Sequence, residues 1–96
     1  MYIIPYLRTA SPYILQKITY RLYVIMNSDF FKKLGINIKK KRNAIGLSQQ
    51  ELADKTGISL NFIGKIEVAF SKPSLDTVIK IADALEISVS ELCNFK

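Results

Sequence analysis

The side chains in this sequence that are best suited to recognising a ligand are hydrogen-bond donors and acceptors. The stretch Gln49–Val68 carries an amide at Asn61 and an ammonium at Lys65, four residues apart. The chain has no histidine, which removes the commonest general base, the usual catalytic triads and histidine-ligated zinc. Its one cysteine, Cys93, has no second thiol for a disulfide or a metal site. We therefore expect no enzyme activity, no metal and no cofactor.

Length and charge narrow the class of protein. The 96 residues fit one domain with a modest core, and 49% of them are hydrophobic in short periodic groups, which predicts a folded domain. The formal net charge of +6 suits a polyanionic partner such as nucleic acid, although solvated lysines give the same balance. A single unpaired cysteine is most simply explained by a reducing compartment, so we expect a cytoplasmic protein.

Five short helices are predicted downstream of Met26. The first runs from about Asp29 to Ile45 and ends at Gly46, and the second closes at Gly57. Each later helix begins at a serine cap, and two of these caps are followed three residues on by a glutamate. The caps are Ser48, Ser59, Ser74 and Ser88, and the glutamates are Glu51 and Glu91. The apolar residues at helical spacing, which we expect in the core, are Phe30, Phe31, Leu34, Ile38, Ile45, Leu52, Ala53, Ile58, Phe62, Ile63, Ile66, Leu75, Val78, Ile79, Ala82, Leu85, Val89 and Leu92.

The second and third helices have the layout of a helix-turn-helix, because a turn built around Gly57 joins them. With the isoleucines of the third helix directed inward, its outward face carries Leu60, Asn61, Gly64 and Lys65. A helix docked in the major groove of DNA presents such a face to the base edges.

Several spaced motifs resemble one family in order and in distance. LSQQELADKTGIS, followed by FIGKIE, KPSLDTVIKIADAL and SVSEL, resembles the phage-repressor, or Cro and lambda-repressor-like (Xre-type), helix-turn-helix family. The resemblance covers Leu34–Leu92. It implies an all-α bundle of about five helices that regulates transcription, usually as a homodimer on a two-fold-related, palindromic operator in double-stranded DNA. Apolar residues near the C-terminus, which we expect to form the dimer surface, are Ile87, Val89, Leu92 and Phe95.

The resemblance also assigns site residues. Leu60, Asn61, Gly64 and Lys65 fall on base-reading positions: Asn61 would pair with adenine, Lys65 would donate to guanine and Leu60 would pack on a thymine methyl. Gly64 has no side chain for readout, so the simplest interpretation is that the backbone passes close to DNA there. Contacts to the DNA backbone are assigned to Gln49, Ser59, Ser71 and Lys72.

Other positions match or depart from the family pattern in ways that bear on structure. Arg42 and Glu67 match a pair that joins the first helix to the recognition helix, so we expect a structural ion pair and no DNA contact. Ala69 stands where the family usually has glycine at the end of the recognition helix. Phe62 occupies a position often held by a hydrogen-bonding residue.

Residues 1–26 form an N-terminal extension of different character, for which we expect a strand or a disordered segment, and the helix-turn-helix DNA-binding domain is expected at 27–96. Met1–Ile25 contains no acidic residue, and basic and polar residues interrupt each apolar run well before a membrane span is reached. The alternation over Lys17–Ile25 fits a strand and also a helix stripe, and its aromatic and β-branched residues favour a strand. Two interpretations stay open: translation naturally starts at Met26, or the apolar segment binds a partner protein, as in an antitoxin or anti-regulator.

Overall fold

The computed structural model describes residues 12–95, and every regular element within this range is a helix. The five helices are α1 (Pro12–Ala44), α2 (Gln49–Thr56), α3 (Leu60–Glu67), α4 (Leu75–Ala84) and α5 (Val89–Leu92). The predicted all-α fold is confirmed. Residues 1–11 of the N-terminal extension lie outside the described residues. Between residues 12 and 95 the structure contains no helix that could span a lipid bilayer.

Helix α1 is much longer than expected, with 33 residues, and the preference for a strand over Lys17–Ile25 is wrong. No other element between residues 12 and 95 is a strand, so an extended segment would leave its backbone groups without a ladder. A helix satisfies them internally, and adding turns to an existing helix avoids a new nucleation step. Pro12 stands at the first helical position, where its missing N–H costs no hydrogen bond.

The predicted helix boundaries from Gly46 onward are confirmed. At α2 the capping box is complete: the Glu51 amide donates to Ser48 Oγ and the Ser48 amide donates to Glu51 Oε1, both at 3.0 Å. The backbone hydrogen bond from Ser48 lowers the pKa of the Glu51 carboxyl. The backbones of Gly46 (φ 76°) and Gly57 (φ 73°) are left-handed, as a tight helix end requires. The other three predicted caps are confirmed as well. The side-chain oxygens of Ser59, Ser74 and Ser88 each accept a hydrogen bond from the backbone amide three residues further along the chain.

The core is smaller than the apolar stripes suggested. The buried hydrophobic residues are Leu34, Ile38, Leu52, Ala53, Ile63, Ile66, Val78, Ile81, Ala82, Leu85 and Leu92. Four residues expected in the core are instead exposed: Phe30, Ile45, Leu75 and Ile79. Ile45 follows the end of α1, and Leu75 lies in the first turn of α4. Ile79 points about 100° away from buried Val78 around the axis of α4.

The C-terminus also differs from expectation. Leu92 is fully buried, so it is not part of the apolar surface predicted there. Its carbonyl oxygen accepts a hydrogen bond from Asn37 Nδ2, which ties α5 to α1. Phe95 packs edge-on against Phe30, with ring centroids 5.3 Å apart. The last residues are therefore occupied by contacts with α1.

One close approach sets the position of α3. A Cβ atom on Gly35 would lie 2.5 Å from the carbonyl oxygen of Ile66 and 2.6 Å from that of Glu67. Both distances are shorter than any comfortable contact, so the backbone of α1 touches the last turn of α3 only because residue 35 is glycine. Sequence reasoning gave this residue no role.

Candidate nucleic-acid interface

Helix α3 has one buried and one open face. Ser59 caps it, with its Oγ accepting from the amide of Phe62 at 3.1 Å. Ile63, Ile66 and Glu67 are buried against the rest of the domain. The expected reading residues consequently face outward: Leu60 and Asn61 are exposed, while Gly64 and Lys65 are partly exposed.

The four predicted base-reading residues share a single shallow depression. It measures about 590 Å³ and is lined by Gln49, Leu60, Asn61, Gly64, Lys65, Val68 and Phe70. Val68 and Phe70 were missed by sequence reasoning, although they are 75% and 77% exposed. The signal for Val68 was its spacing, since it lies one turn beyond Gly64 and two turns beyond Leu60. No local pattern marks Phe70, whose position depends on the loop that follows α3.

The loop after α3 is held by a tight turn. Ala69 adopts the left-handed conformation with φ 61°. The amide of Phe70 donates to the carbonyl of Lys65 at 2.8 Å, and the amide of Ala69 donates to that of Ile66 at 3.1 Å. This is the hydrogen-bond pattern of a glycine-type helix end formed by an alanine. The turn brings Phe70 back beside Lys65, whose Nζ lies 5.7 Å from the centroid of the ring.

The structure also brings Arg42 and Glu67 together. Arg42 Nε donates to Glu67 Oε2 at 2.7 Å and Arg42 Nη2 donates to Glu67 Oε1 at 3.1 Å. Both residues are buried, with 7% and 5% of their surface exposed. Arg42 Nη1 donates in addition to the carbonyl of Leu47 at 2.7 Å. The pair links α1, the loop before α2, and α3, and it faces the protein interior.

The four residues predicted to contact the DNA backbone differ in burial and in partners, and Gln49 also lines the depression. Gln49 is half-buried, and its Nε2 donates to Glu67 Oε1 at 3.0 Å. Ser59 uses its oxygen as the cap acceptor, which leaves its O–H group able to donate outward. Ser71 is half-buried, and exposed Lys72 places its Nζ 5.7 Å from the centroid of the Phe31 ring.

Between residues 12 and 95 no cluster of acidic residues and cysteine is arranged to hold a metal ion. Burial raises the pKa of the Cys93 thiol, which favours its neutral and less nucleophilic form.

Helix-turn-helix proteins are among the known proteins that this chain resembles. A helix-turn-helix family profile matches residues 38–92. The chain is 43% identical over 61 residues to the cryptic phage CTXphi transcriptional repressor RstR of Vibrio cholerae, covering 64% of this chain and 54% of that protein. It is 36% identical over 64 residues to the control protein C.SmaI of Serratia marcescens, covering 67% of this chain and 76% of that protein.

A solved structure shows the same architecture. The restriction-modification controller protein C.AhdI from Aeromonas hydrophila superposes with a TM-score of 0.63 at 35% sequence identity, covering 65% of this chain and 94% of that one. The chain spans about half the length of the Vibrio cholerae repressor. With the profile match over more than half of its length, the chain belongs to the Xre, or Cro and lambda-repressor-like, family of helix-turn-helix transcriptional regulators.

Proposed function

We propose that the chain binds double-stranded DNA in a sequence-specific manner by placing α3 in the major groove. The observation that carries this proposal is the shared depression on the outward face of α3, in which Leu60, Asn61, Gly64 and Lys65 lie together. The opposite face is buried, so the helix is fixed by the domain while its outward groups stay available. An exposed helix face on a rigid support is what base readout in the major groove requires.

Base contacts are proposed for the two polar residues of this face. The Asn61 amide can accept from N6 and donate to N7 of adenine, and the Lys65 ammonium can donate to O6 and N7 of guanine. The side chain of Lys65 is already oriented, because its ammonium rests beside the Phe70 ring. Less conformational entropy is then lost when Lys65 meets a base.

Backbone contacts are proposed for the surrounding residues. The Gln49 amide has two N–H groups, and only one is used by Glu67, so the second can donate to a phosphate oxygen. Because Glu67 is itself held by Arg42, the buried pair would fix the orientation of the Gln49 amide that meets the phosphate. Ser59, Ser71 and Lys72 would donate from the rim of the surface.

A homodimer on a palindromic operator completes the proposal. Helix α3 has 8 residues and is therefore about 12 Å long, a fraction of one DNA turn of about 34 Å. One such helix reads few base pairs, whereas two copies related by a two-fold axis read two half-sites on one face of the duplex. Whether binding represses or activates transcription depends on where the operator lies relative to a promoter.

The experiment that tests this function is selection of bound duplexes from a random library, followed by measurement with two variants. We expect a palindromic consensus. Asn61→Ala should lose about 1–3 kcal/mol of binding free energy on that operator and relax base preference at one position of each half-site. Lys72→Ala is the matched control: it should weaken all sequences nearly equally and reduce the salt slope by about one.

Two outcomes would contradict the proposal. If no consensus emerges from the selection, sequence-specific binding is wrong. If Asn61→Ala keeps the wild-type preference at every position, α3 does not read DNA through this residue.

A further inference from the structure

Gly64 is the one glycine between residues 12 and 95 whose presence the fold does not explain. Gly46 and Gly57 have positive φ, and Gly35 makes the close approach to α3. A Cβ atom on Gly64 would meet nothing within 4 Å, and the residue lies in the interior of α3. Glycine there weakens the helix relative to alanine without relieving any contact inside the protein. The space above Gly64 is therefore open to a group from outside the chain.

The walls of this space are apolar. Leu60 and Val68 precede and follow Gly64 by one helical turn each, so the three residues form one stripe with a notch at its centre. Leu60 is 43% exposed and Val68 is 75% exposed, and neither side chain carries a hydrogen-bonding atom. The hydrogen-bonding residues Asn61 and Lys65 form the neighbouring stripe of the same depression.

We infer that the notch at Gly64 receives the 5-methyl group of a thymine in the operator; this rests on the DNA binding proposed above. In the major groove the thymine methyl is the apolar group that projects from the base edges, whereas the other groups there are hydrogen-bond donors and acceptors. A phosphate or a base edge rich in acceptors would gain no partner between a leucine and a valine. The neighbouring stripe would at the same time read adjacent bases through Asn61 and Lys65.

The first test removes the methyl group from the DNA. Full-length protein is titrated with the selected operator duplex and with duplexes in which one thymine at a time, at the same position of both half-sites, is replaced by uracil. At one position we expect affinity to fall by about fourfold for each half-site, the value of one buried methyl group. No sensitivity to uracil at any position would overturn the inference.

The second test fills the notch from the protein side with Gly64→Ala. This variant should melt at a higher temperature than the wild type, because alanine favours the helix and meets no neighbour in the free chain. It should nevertheless bind the thymine operator about tenfold or more weakly, since two methyl groups would compete for one space. On the duplex with uracil at the sensitive position, the affinity of Gly64→Ala should be largely restored.

The restoration separates this inference from the alternatives. Equal losses on the thymine and uracil duplexes would mean that Gly64 faces another group, such as the sugar-phosphate backbone. Unchanged affinity of Gly64→Ala for the thymine operator would mean that nothing approaches the notch. Either of these results could be found together with a selected consensus that depends on Asn61. In that case the proposed DNA binding stands and only the methyl site is wrong.

Discussion

At the scale of single residues, Arg42 and Glu67 form a structural ion pair that faces the protein interior. Its two hydrogen bonds are buried. Arg42 donates in addition to Asn43 and Leu47, and Glu67 accepts in addition from Gln49. A buried pair of this kind adds little net stability compared with a well-packed apolar pair. Its value lies in geometry, because it fixes the last turn of α3 and the first residue of α2 relative to α1.

Removing one partner should therefore be costly. Glu67→Ala leaves the Arg42 guanidinium buried without its carboxylate, and we expect a loss of about 3–5 kcal/mol in the free energy of unfolding, measured by urea denaturation. The control is Lys80→Ala, which breaks the Lys80–Asp76 pair, whose side chains are 56% and 77% exposed, and keeps the carboxylate in the first turn of α4. That variant should change stability by at most about 0.5 kcal/mol. Equal, small effects of the two substitutions would show that the Arg42 pair is not buried in solution.

At the scale of elements, the orientation of α3 depends on its contact with α1 and on the turn that ends it. Gly35 admits the carbonyl groups of Ile66 and Glu67, and Ala69 closes the helix in a left-handed conformation. The first feature fixes how near α3 lies to α1. The second directs the loop that carries Phe70 and Lys72.

A side chain at residue 35 should displace α3. In Gly35→Ala the new methyl group would meet two backbone carbonyl oxygens that cannot rotate away, so we expect a loss of about 3 kcal/mol on thermal or urea unfolding. Because the helix must shift, operator binding should also weaken in the fraction that remains folded. Wild-type stability for Gly35→Ala would show that the two helices are further apart than described.

At the end of α3 we expect a substitution that increases the free energy of unfolding. Ala69 has φ 61°, a conformation that costs an L-residue about 1–2 kcal/mol and glycine almost nothing. After the greater chain entropy of glycine is subtracted, Ala69→Gly should raise the free energy of unfolding by roughly 0.5–1 kcal/mol. Val68→Gly is the control, because Val68 has φ −101° and gains nothing from glycine. A lower melting temperature for Ala69→Gly than for the wild type would contradict the left-handed turn.

At the scale of the whole molecule, α1 has two parts that differ in burial. From Leu34 to Arg42 it supplies buried residues to the domain. Between residues 12 and 22 no described side chain is buried, and Leu15 alone is half-buried. The exposed large hydrophobic residues in this part of the helix are Tyr13, Ile14, Ile18, Tyr20 and Leu22. The partner protein predicted for Met1–Ile25 stays a prediction, and these residues are the surface that it would use.

A chain beginning at Met26 tests the independence of the two regions. Since residues 12–22 contribute no buried side chain, we expect this shortened chain to keep its helical circular dichroism and an unfolding free energy within about 1 kcal/mol of the full chain. Affinity for the selected operator should also be retained if α3 carries the readout. Failure of the shortened chain to fold would place the boundary between extension and domain earlier than residue 27.

The sequence alone determined those features that depend on neighbours within a few residues. The serine caps, the capping box of Ser48 and Glu51, and the turns at Gly46 and Gly57 are local interactions, so their residues mark them wherever the segment lies. The outward face of α3 followed from helical periodicity together with the resemblance of the motifs to a known family.

Only the tertiary structure decided the features that depend on what lies opposite a residue. Periodicity marks an apolar stripe but not how far its neighbours extend over it, which is why Ile79 and Leu75 were expected in the core and are exposed. A glycine looks the same in sequence whether it relieves a clash, as Gly35 does, or leaves a surface open, as Gly64 does. That distinction requires the positions of atoms contributed by distant segments, because packing is settled between elements and not along the chain.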